Sequence, residues 1–509
     1  MGRKRLGRTV GHACADHPRR KRSFLGRCVA ETDMGYGPVL GPGHSTMKLY
    51  AEGRTHTVRE ALTMKERLRK AATSLVLILL VALGARLAFA WDQERKIPRE
   101  ALATAPFEQE TGSIAHSLAT GKGFSNPFLK DTGPTAWLTP VYPLLVAAIF
   151  KIFGIFTIPS FFFLVFLNSM FSAAACAPIF YVGKRLGDVA VGSAGAWLWA
   201  LFPSAIMIPF EWIWDTSLAA LLGAVLVWAT LELAESDRLR NWCAYGLLWG
   251  FALMTNPALG LLLPPLLAWA AYRARESRAL ALTDSLTKPA LAFVLALLCC
   301  VPWTVRNYAV FHRFVPLRSN FPLELYIGNN ENYGGDRPRW PPPITKERET
   351  VRYFRMGETA FMDEEMRKAM KFILSHPRKE VILFGDRFIA FWVGVSDPVD
   401  AFMTADALLP RALILCAALS GLGALLGIVI LLLRRSPYAF PLAAYPVLFP
   451  LLYYITHTSL RYRHPIDPVV LLLTAIVAHA FLRFLPERRR SKDELQASLR
   501  ANRSPTSSA

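Results

Sequence analysis

The chain has 509 residues, 58 Lys plus Arg against 38 Asp plus Glu, and a formal charge of +20, yet 53% of it is hydrophobic and only 19% is charged. A soluble nucleic-acid-binding protein with that excess of base would carry a larger charged fraction to keep its surface solvated. The mean hydropathy is +0.29 and the apolar residues come in runs of about twenty, the length that crosses a hydrocarbon core of roughly 30 Å, which points to a membrane and excludes disorder, collagen-like repeats and a disulfide scaffold.

Residues 1–70 form a basic leader with 16 basic against 6 acidic residues, a net +10, and residues 483–509 hold 7 against 3, a net +4. Basic segments beside apolar spans are retained on the cytoplasmic side, so both termini are predicted inside and the number of spans even. The block HPRRKRS lacks the aromatic interleaving of a nucleic-acid patch, and no nucleic-acid partner is expected. The leader is rich in Gly, Pro and His, unlike the rest, which makes Met47 or Met64 alternative starts. No short apolar stretch with a small-residue cleavage site precedes the first span, so no cleavable signal peptide is expected. The domain organisation predicted is a cytoplasmic leader at 1–70, a polytopic transmembrane domain at 71–486 and a basic cytoplasmic tail at 487–509.

Ten apolar segments follow in order: 72–91, 158–182, 188–208, 214–234, 242–255, 258–273, 288–308, 408–433, 438–457 and 465–485. Threaded from an inside N-terminus, they put Lys184 and Arg185, Arg238 and Arg240, Arg273, Arg275 and Arg278, and Arg434 and Arg435 into short cytoplasmic loops, four independent agreements with the positive-inside rule. The fifth and sixth segments are short and break at Asn256-Pro257, because Pro disfavours helix for the residue before it. Two large loops, about 92–157 and 309–407, face outward. In the first, PVYPLLVAAIFKIFG is predicted to lie along the interface. In the second, ETAFMDEEMRKAMKFIL has helical periodicity and is predicted to be a juxtamembrane helix stopped by Pro377. The fold class expected is all-α integral membrane, with about ten transmembrane helices, interfacial juxtamembrane helices and two large periplasmic loops.

None of the seven cysteines lies in an outward loop, so no exported disulfide framework is expected. Cys299 and Cys300 are adjacent and lack ligand spacing, and no Walker-type glycine loop signals an ATP-driven pump. The chemistry-bearing residues sit at outer ends. Glu108, Glu110 and His116 precede a turn at Gly121 and Gly123, where a loop carboxylate could act as a general base. Glu211 and Asp215 fall where the fourth span begins, one turn apart and therefore on one helix face; ionisable groups at that depth are expensive unless paired or functional. Two carboxylates are enough to suggest a divalent ion, without a diagnostic spacing. Arg306 at the outer end of the seventh span, and Arg461, Arg463 and His464 in the last outward loop, break the positive-inside rule. A phosphate would compensate them, since guanidinium offers its oxygens a planar fork of donors; snorkelling to lipid head groups is the alternative. Arg86, five residues from the outer end of the first span, is expected to snorkel.

Acids on one outward loop and arginines on others suggest group transfer from a lipid-linked phosphate, with a base deprotonating an acceptor hydroxyl and cations stabilising the departing phosphate. The ordered combination of IAxxLxxGxGFxxP, GPTAWLTPVYPLLVAAIFKIFG, PWTVRNYAVFHRFVPLRSN with GNN, SHPRKEVILFGDRFIAFW and RYRHPIDPVVLLL resembles bacterial glycosyltransferase family 39, relatives of the protein O-mannosyltransferases and aminoarabinose transferases with the GT-C fold. The likeness covers roughly residues 71–486. It implies a periplasm-facing site, a polyprenyl-phosphate-linked sugar donor and an inverting transfer to a lipid, glycan or protein acceptor in the inner membrane. It places the base at Glu110, with Glu108 second, a further carboxylate at Asp215, with Glu211 as alternate, and lipid-phosphate contacts at Arg306, Arg461 and Arg463, His464 lying beside them. The chain departs from both relatives. It has Glu-Gln-Glu where the O-mannosyltransferases carry Asp-Glu, and Leu138-Thr139 before Pro140 where the aminoarabinose transferases carry Lys, so neither substrate is inherited. A transporter or flippase of a lipid-linked sugar is the rival; it should show internal repeats and broken helices meeting at the midplane, and no convincing repeat is found.

Overall fold

The computed structural model describes residues 70–104, 109–128, 130–278, 282–331, 347–395 and 408–483, with a few isolated positions between them. The chain divides into two units, Met1–Lys65 and Glu66–Ala509, and all the described residues belong to the second. The basic leader through Lys65, the tail at 487–509 and Glu108 lie outside the described residues.

Among those residues the regular structure is helical: α1 (Leu75–Glu94), α2 (Arg99–Thr104), α3 (Glu110–Ala119), α4 (Val141–Phe153), α5 (Ile158–Ala174), α6 (Cys176–Leu186), α7 (Val189–Leu201), α8 (Pro203–Glu211), α9 (Thr216–Ala234), α10 (Leu239–Thr255), α11 (Leu263–Arg278), α12 (Leu282–Phe311), α13 (Phe321–Gly328), α14 (Glu347–Met356), α15 (Glu358–Ser375), α16 (Pro377–Val393), α17 (Leu408–Leu433), α18 (Ala439–Leu448), α19 (Leu451–Ile455), α20 (Leu460–Arg463) and α21 over 467–483. Helices occupy all ten apolar segments of the sequence. Five stretches are long and apolar enough to cross a membrane: α1, α5 with α6, α9, the 286–311 part of α12, and α17. The pair α7 and α8, bent by 45°, would make a sixth.

Local chemistry explains where the spans break. Pro203 starts α8 after an extended Phe202, as expected where Pro removes an N–H and fixes φ. Asn256 ends α10 and accepts from the Ala258 backbone at 3.1 Å, opening a 3-10 turn over Pro257–Leu262 that leads into α11. The segment 438–457 divides at Phe449-Pro450 into α18 and α19. Between α12 and α17, α15 forms as a helix where the periodicity predicted one. It ends at Ser375 with His376, the residue before Pro377, outside helical geometry, as expected ahead of a proline; Pro377 then occupies the first turn of α16, a helix the periodicity did not single out.

Contacts between helix ends order the bundle. At one end Arg185 closes α6 onto Glu232 (2.6 Å) and Glu235 just past α9, Lys288 of α12 meets Asp237 before α10 (2.5 Å), Trp269 of α11 donates to Pro437 before α18 (3.1 Å), and Arg483 of α21 meets Asp188 before α7 (3.3 Å). Three of the four basic loops read from the sequence thus have neighbours at this end. The opposite ends of the same helices carry the long connections.

Arg86 does not snorkel. Its side chain is 1% exposed and its guanidinium donates to Ser172 Oγ (2.9 Å) and to the carbonyls of Ala82 (2.7 Å), Ala200 (3.0 Å) and Trp199 (3.3 Å). The bend between α7 and α8 frees carbonyls that a regular helix would have used, and Arg86 takes them up. A buried charge so satisfied is a packing device tying α1 to α5 and α7.

Candidate active site

The end of the bundle away from these ion pairs contains a cavity of about 450 Å³. Its wall is assembled from distant parts of the chain: Glu110 from α3, Trp137, Trp214 and Asp215 before α9, Asn256, Arg318, Asn320 and Glu324 around the start of α13, and Tyr453, His457, Arg461 and Tyr462 near the C-terminal end.

Glu110 is the first residue of α3, after an extended Gln109. The start of this helix is fixed by close packing at Gly112, where a Cβ would lie 2.2 Å from the Phe107 carbonyl oxygen. Glu110 is 7% exposed, and its Oε2 has no hydrogen-bond partner among the described residues. Burial pushes its carboxyl up to about 7, against the opposing effects of its own backbone N–H and of Arg461 and Arg318. A buried carboxyl that titrates near neutrality and keeps an oxygen free has the properties of a general base.

Asp215 is the residue before α9 and receives Asn256 Nδ2 at 3.1 Å. Glu211 stands elsewhere. The expectation that the two share a helix face fails because α8 ends at Glu211 and residues 212–215 are not helical, so no common helix connects them. Glu211 is exposed and does not line the cavity.

The arginines divide. Arg461 lines the cavity with its guanidinium 4.3 Å from the ring centres of both Trp212 and Trp214, while Nη1 has no hydrogen-bond partner among the described residues. The two indoles, in edge-to-face contact with each other, contribute cation–π attraction without using the N–H groups. Arg318 also lines the cavity, its Nε donating to the Trp137 carbonyl at 3.0 Å. Arg306, Arg463 and His464 were expected beside them and do not line it. Arg306 donates to the carbonyls of Thr135 and Phe124, both at 2.7 Å, pinning the first outward loop to α12. Arg463 is fully buried, paired with Asp467 at 2.6 Å and bonded to Trp392 O, Ala417 O and Ser420 Oγ. His464 is fully buried against the Trp199 ring, at 5.0 Å between centroids. Arg306 and Arg463 are thus offset by protein groups, whereas neither ring nitrogen of His464 has a hydrogen-bond partner among the described residues.

Sequence reasoning passed over Arg318, Glu324, Asn256 and His457. Arg318 and His457 lie within stretches singled out for their basic residues, but chain position alone gave no reason to prefer Arg318 to Arg306. A buried Glu358 decides between them. Its carboxylate accepts from Thr135 Oγ1 (2.5 Å), the Ala136 N–H (2.7 Å), Ser319 Oγ (2.6 Å) and Tyr353 OH (2.6 Å), and Ser319 N–H donates to Ala136 O at 2.9 Å. Trp137 and Arg318, each next in sequence to a residue held by Glu358, are thereby fixed in the cavity wall.

Among the described residues no group of three or more His, Cys, Asp or Glu is arranged to hold a metal ion. With a free carboxylate oxygen and two guanidinium groups on one apolar-lined space, the cavity is suited to binding an anionic group and accepting a proton beside it.

Residues 136–305, about a third of the chain, match the family model of dolichyl-phosphate-mannose-protein mannosyltransferases. That stretch carries Trp137, Asp215 and Asn256. No curated protein matches the chain. Among solved structures, the Archaeoglobus fulgidus oligosaccharyltransferase in complex with zinc and sulfate aligns at 13% identity and a TM-score of 0.46, over 81% of this chain and 50% of that one. The Archaeoglobus fulgidus enzyme AglB in complex with an inhibitory peptide and a dolichol-phosphate aligns at 14% identity and a TM-score of 0.45, over 82% and 51%. The chain thus spans about half the length of these structures. By its ordered motifs and by the match over 136–305, the chain is an all-helical membrane protein similar to the dolichyl-phosphate-mannose-protein mannosyltransferase family.

Proposed function

We propose that the protein is a membrane glycosyltransferase that moves a sugar from a polyprenyl-phosphate-linked donor to an acceptor hydroxyl on the extracytoplasmic face, with both termini cytoplasmic. The donor phosphate lies on Arg318 and Arg461. Glu110 takes the proton from the acceptor hydroxyl, whose oxygen bonds to the anomeric carbon on the side opposite the phosphate. The bond from that carbon to the phosphate oxygen breaks, its electron pair leaves with polyprenyl phosphate, and the sugar configuration inverts. The two guanidinium groups stabilise the charge that builds on the departing phosphate. Asp215, held by Asn256, lies within the influence of the same two arginines and helps keep their positions.

The observation that carries this reading is that one cavity is lined both by a buried Glu110 whose oxygen lacks a partner and by Arg461, a guanidinium packed against two indoles and short of one partner. The test is transfer of radiolabelled sugar from a polyprenyl-phosphate donor by membranes carrying the chain, with mass-spectrometric identification of the product. A glycosylated acceptor that forms only with the wild-type chain is expected; movement of intact donor across the membrane without a new glycosidic bond would replace the reading by that of a flippase.

A further inference from the structure

Three carboxylates line the cavity and they are not equivalent. Glu110 keeps a free oxygen and Asp215 is held by Asn256, whereas Glu324 is fixed on both oxygens: Asn320 Nδ2 donates to Oε1 at 2.8 Å and His457 Nε2 lies 2.5 Å from Oε2. A dedicated scaffold sets this pair. The C-terminus of α13 meets the 456–457 backbone so closely that a Cβ on Gly328 would lie 1.7 Å from the Thr456 carbonyl oxygen. Asn329 donates to Ile455 O at 2.9 Å. Arg387 of α16, fully buried, donates to Gly328 O (2.6 Å), Asn329 Oδ1 (2.8 Å) and Tyr454 O (2.9 Å). A cation at two helix C-termini is well placed electrostatically, and here it locks the element bearing Glu324 to the one bearing His457.

A carboxylate offers about four lone-pair sites, and two remain on Glu324. Its side chain keeps 30% of its exposure in a residue that lines the cavity. Tyr453 and Tyr462, stacked at 4.9 Å, supply an apolar face in the same wall. We propose that Glu324, oriented by His457 and Asn320, is the sugar-recognising group of the cavity, accepting hydrogen bonds from two hydroxyls of the sugar whose phosphate lies on Arg318 and Arg461. The inference rests on the glycosyltransferase reading. Although burial opposes ionisation, His457, Arg318 and Arg461 hold the Glu324 carboxyl below its usual range, which suits a permanent acceptor rather than a base.

The test uses the full chain in lipid nanodiscs and measures binding of polyprenyl phosphate, of its mannose and glucose derivatives, and of the 2-, 3-, 4- and 6-deoxy analogues of the tighter one. In the wild type, loss of one or two particular hydroxyls should weaken binding by about 10–150-fold, the worth of hydrogen bonds to a charged acceptor. Glu324→Gln should flatten that discrimination to a few-fold and leave sugar-free polyprenyl phosphate bound as before. His457→Gln, which leaves the carboxylate but frees it, should raise KM with kcat nearly unchanged, and serves in place of Glu324→Gln if that variant misfolds. An unchanged deoxy ranking in Glu324→Gln or, where it serves, unchanged KM in His457→Gln overturns the inference, as does equal weakening of polyprenyl phosphate and the sugar donors. Failure of the wild type to bind polyprenyl phosphate or any derivative overturns the inference and the glycosyltransferase reading together.

Discussion

Arg461 and Arg463 are two residues apart in one short helix, and they belong to regions built on opposite rules. The framework around the cavity, where Arg306, Arg387 and Arg463 sit, gives guanidinium groups carbonyls and carboxylates of the protein itself. The cavity wall packs Arg461 against indole rings and leaves Nη1 unmatched, and the same wall holds a Glu110 oxygen also unmatched. Burying charge is costly unless it is paired. Arg306 and Arg463, satisfied within the chain, are therefore read as architecture, and Arg461 and Glu110, which line the cavity and each keep an unmatched atom, as the groups that would meet a ligand.

The sharpest way to break this contrast is Glu110→Gln, which is isosteric and leaves the framework alone. Transfer should fall by about 10²–10⁴-fold, the usual worth of a general base, with an unchanged thermal unfolding midpoint in detergent; wild-type transfer by an intact variant would remove Glu110 from the mechanism. Its pH profile follows from the same residue. A base must be ionised, and with the carboxyl at about 7 the rate should rise with pH through neutrality and level off above it, a limb that Glu110→Gln should lack.

On the framework side, Arg463→Ala leaves Asp467 buried without its partner and should cost about 3–5 kcal/mol of stability, read as a lowered unfolding midpoint. Arg461→Ala should spare the unfolding midpoint by comparison and weaken donor binding, by about 1.5–3 kcal/mol if each lost bond is to a charged phosphate oxygen. Unchanged donor affinity would mean that Arg461 serves the lipid surface instead. Smallest is Glu211→Gln, exposed and away from the cavity: transfer and stability should stay within about 0.5 kcal/mol of wild type.

Local chemistry in the sequence pointed to two residues that line the cavity. Glu110 was singled out as an acid on a loop and by the resemblance, Asp215 because an ionisable group where a span begins is expensive, and both line the cavity. Glu211 followed from assuming one continuous helix, an assumption undone by the non-helical residues 212–215. Arg306 and Arg463 were placed with Arg461 because an outward arginine looks unpaired in one dimension; Arg306 is met by loop carbonyls far back in the chain, and Arg463 by Asp467 four residues on together with groups of α16 and α17. Glu324 and Glu358 gave no local signal at all, since an ordinary Glu in a polar loop becomes informative only when its acceptors are counted.

The sequence alone determined that this chain is a helical membrane protein and where its apolar helices run, because burial in hydrocarbon imposes a length and a composition on each span independently of the others. Tertiary structure alone decided which outward charges face a cavity. That depends on whether a residue's hydrogen-bonding capacity is consumed by backbone brought from elsewhere, a property of the packed bundle that no single segment contains.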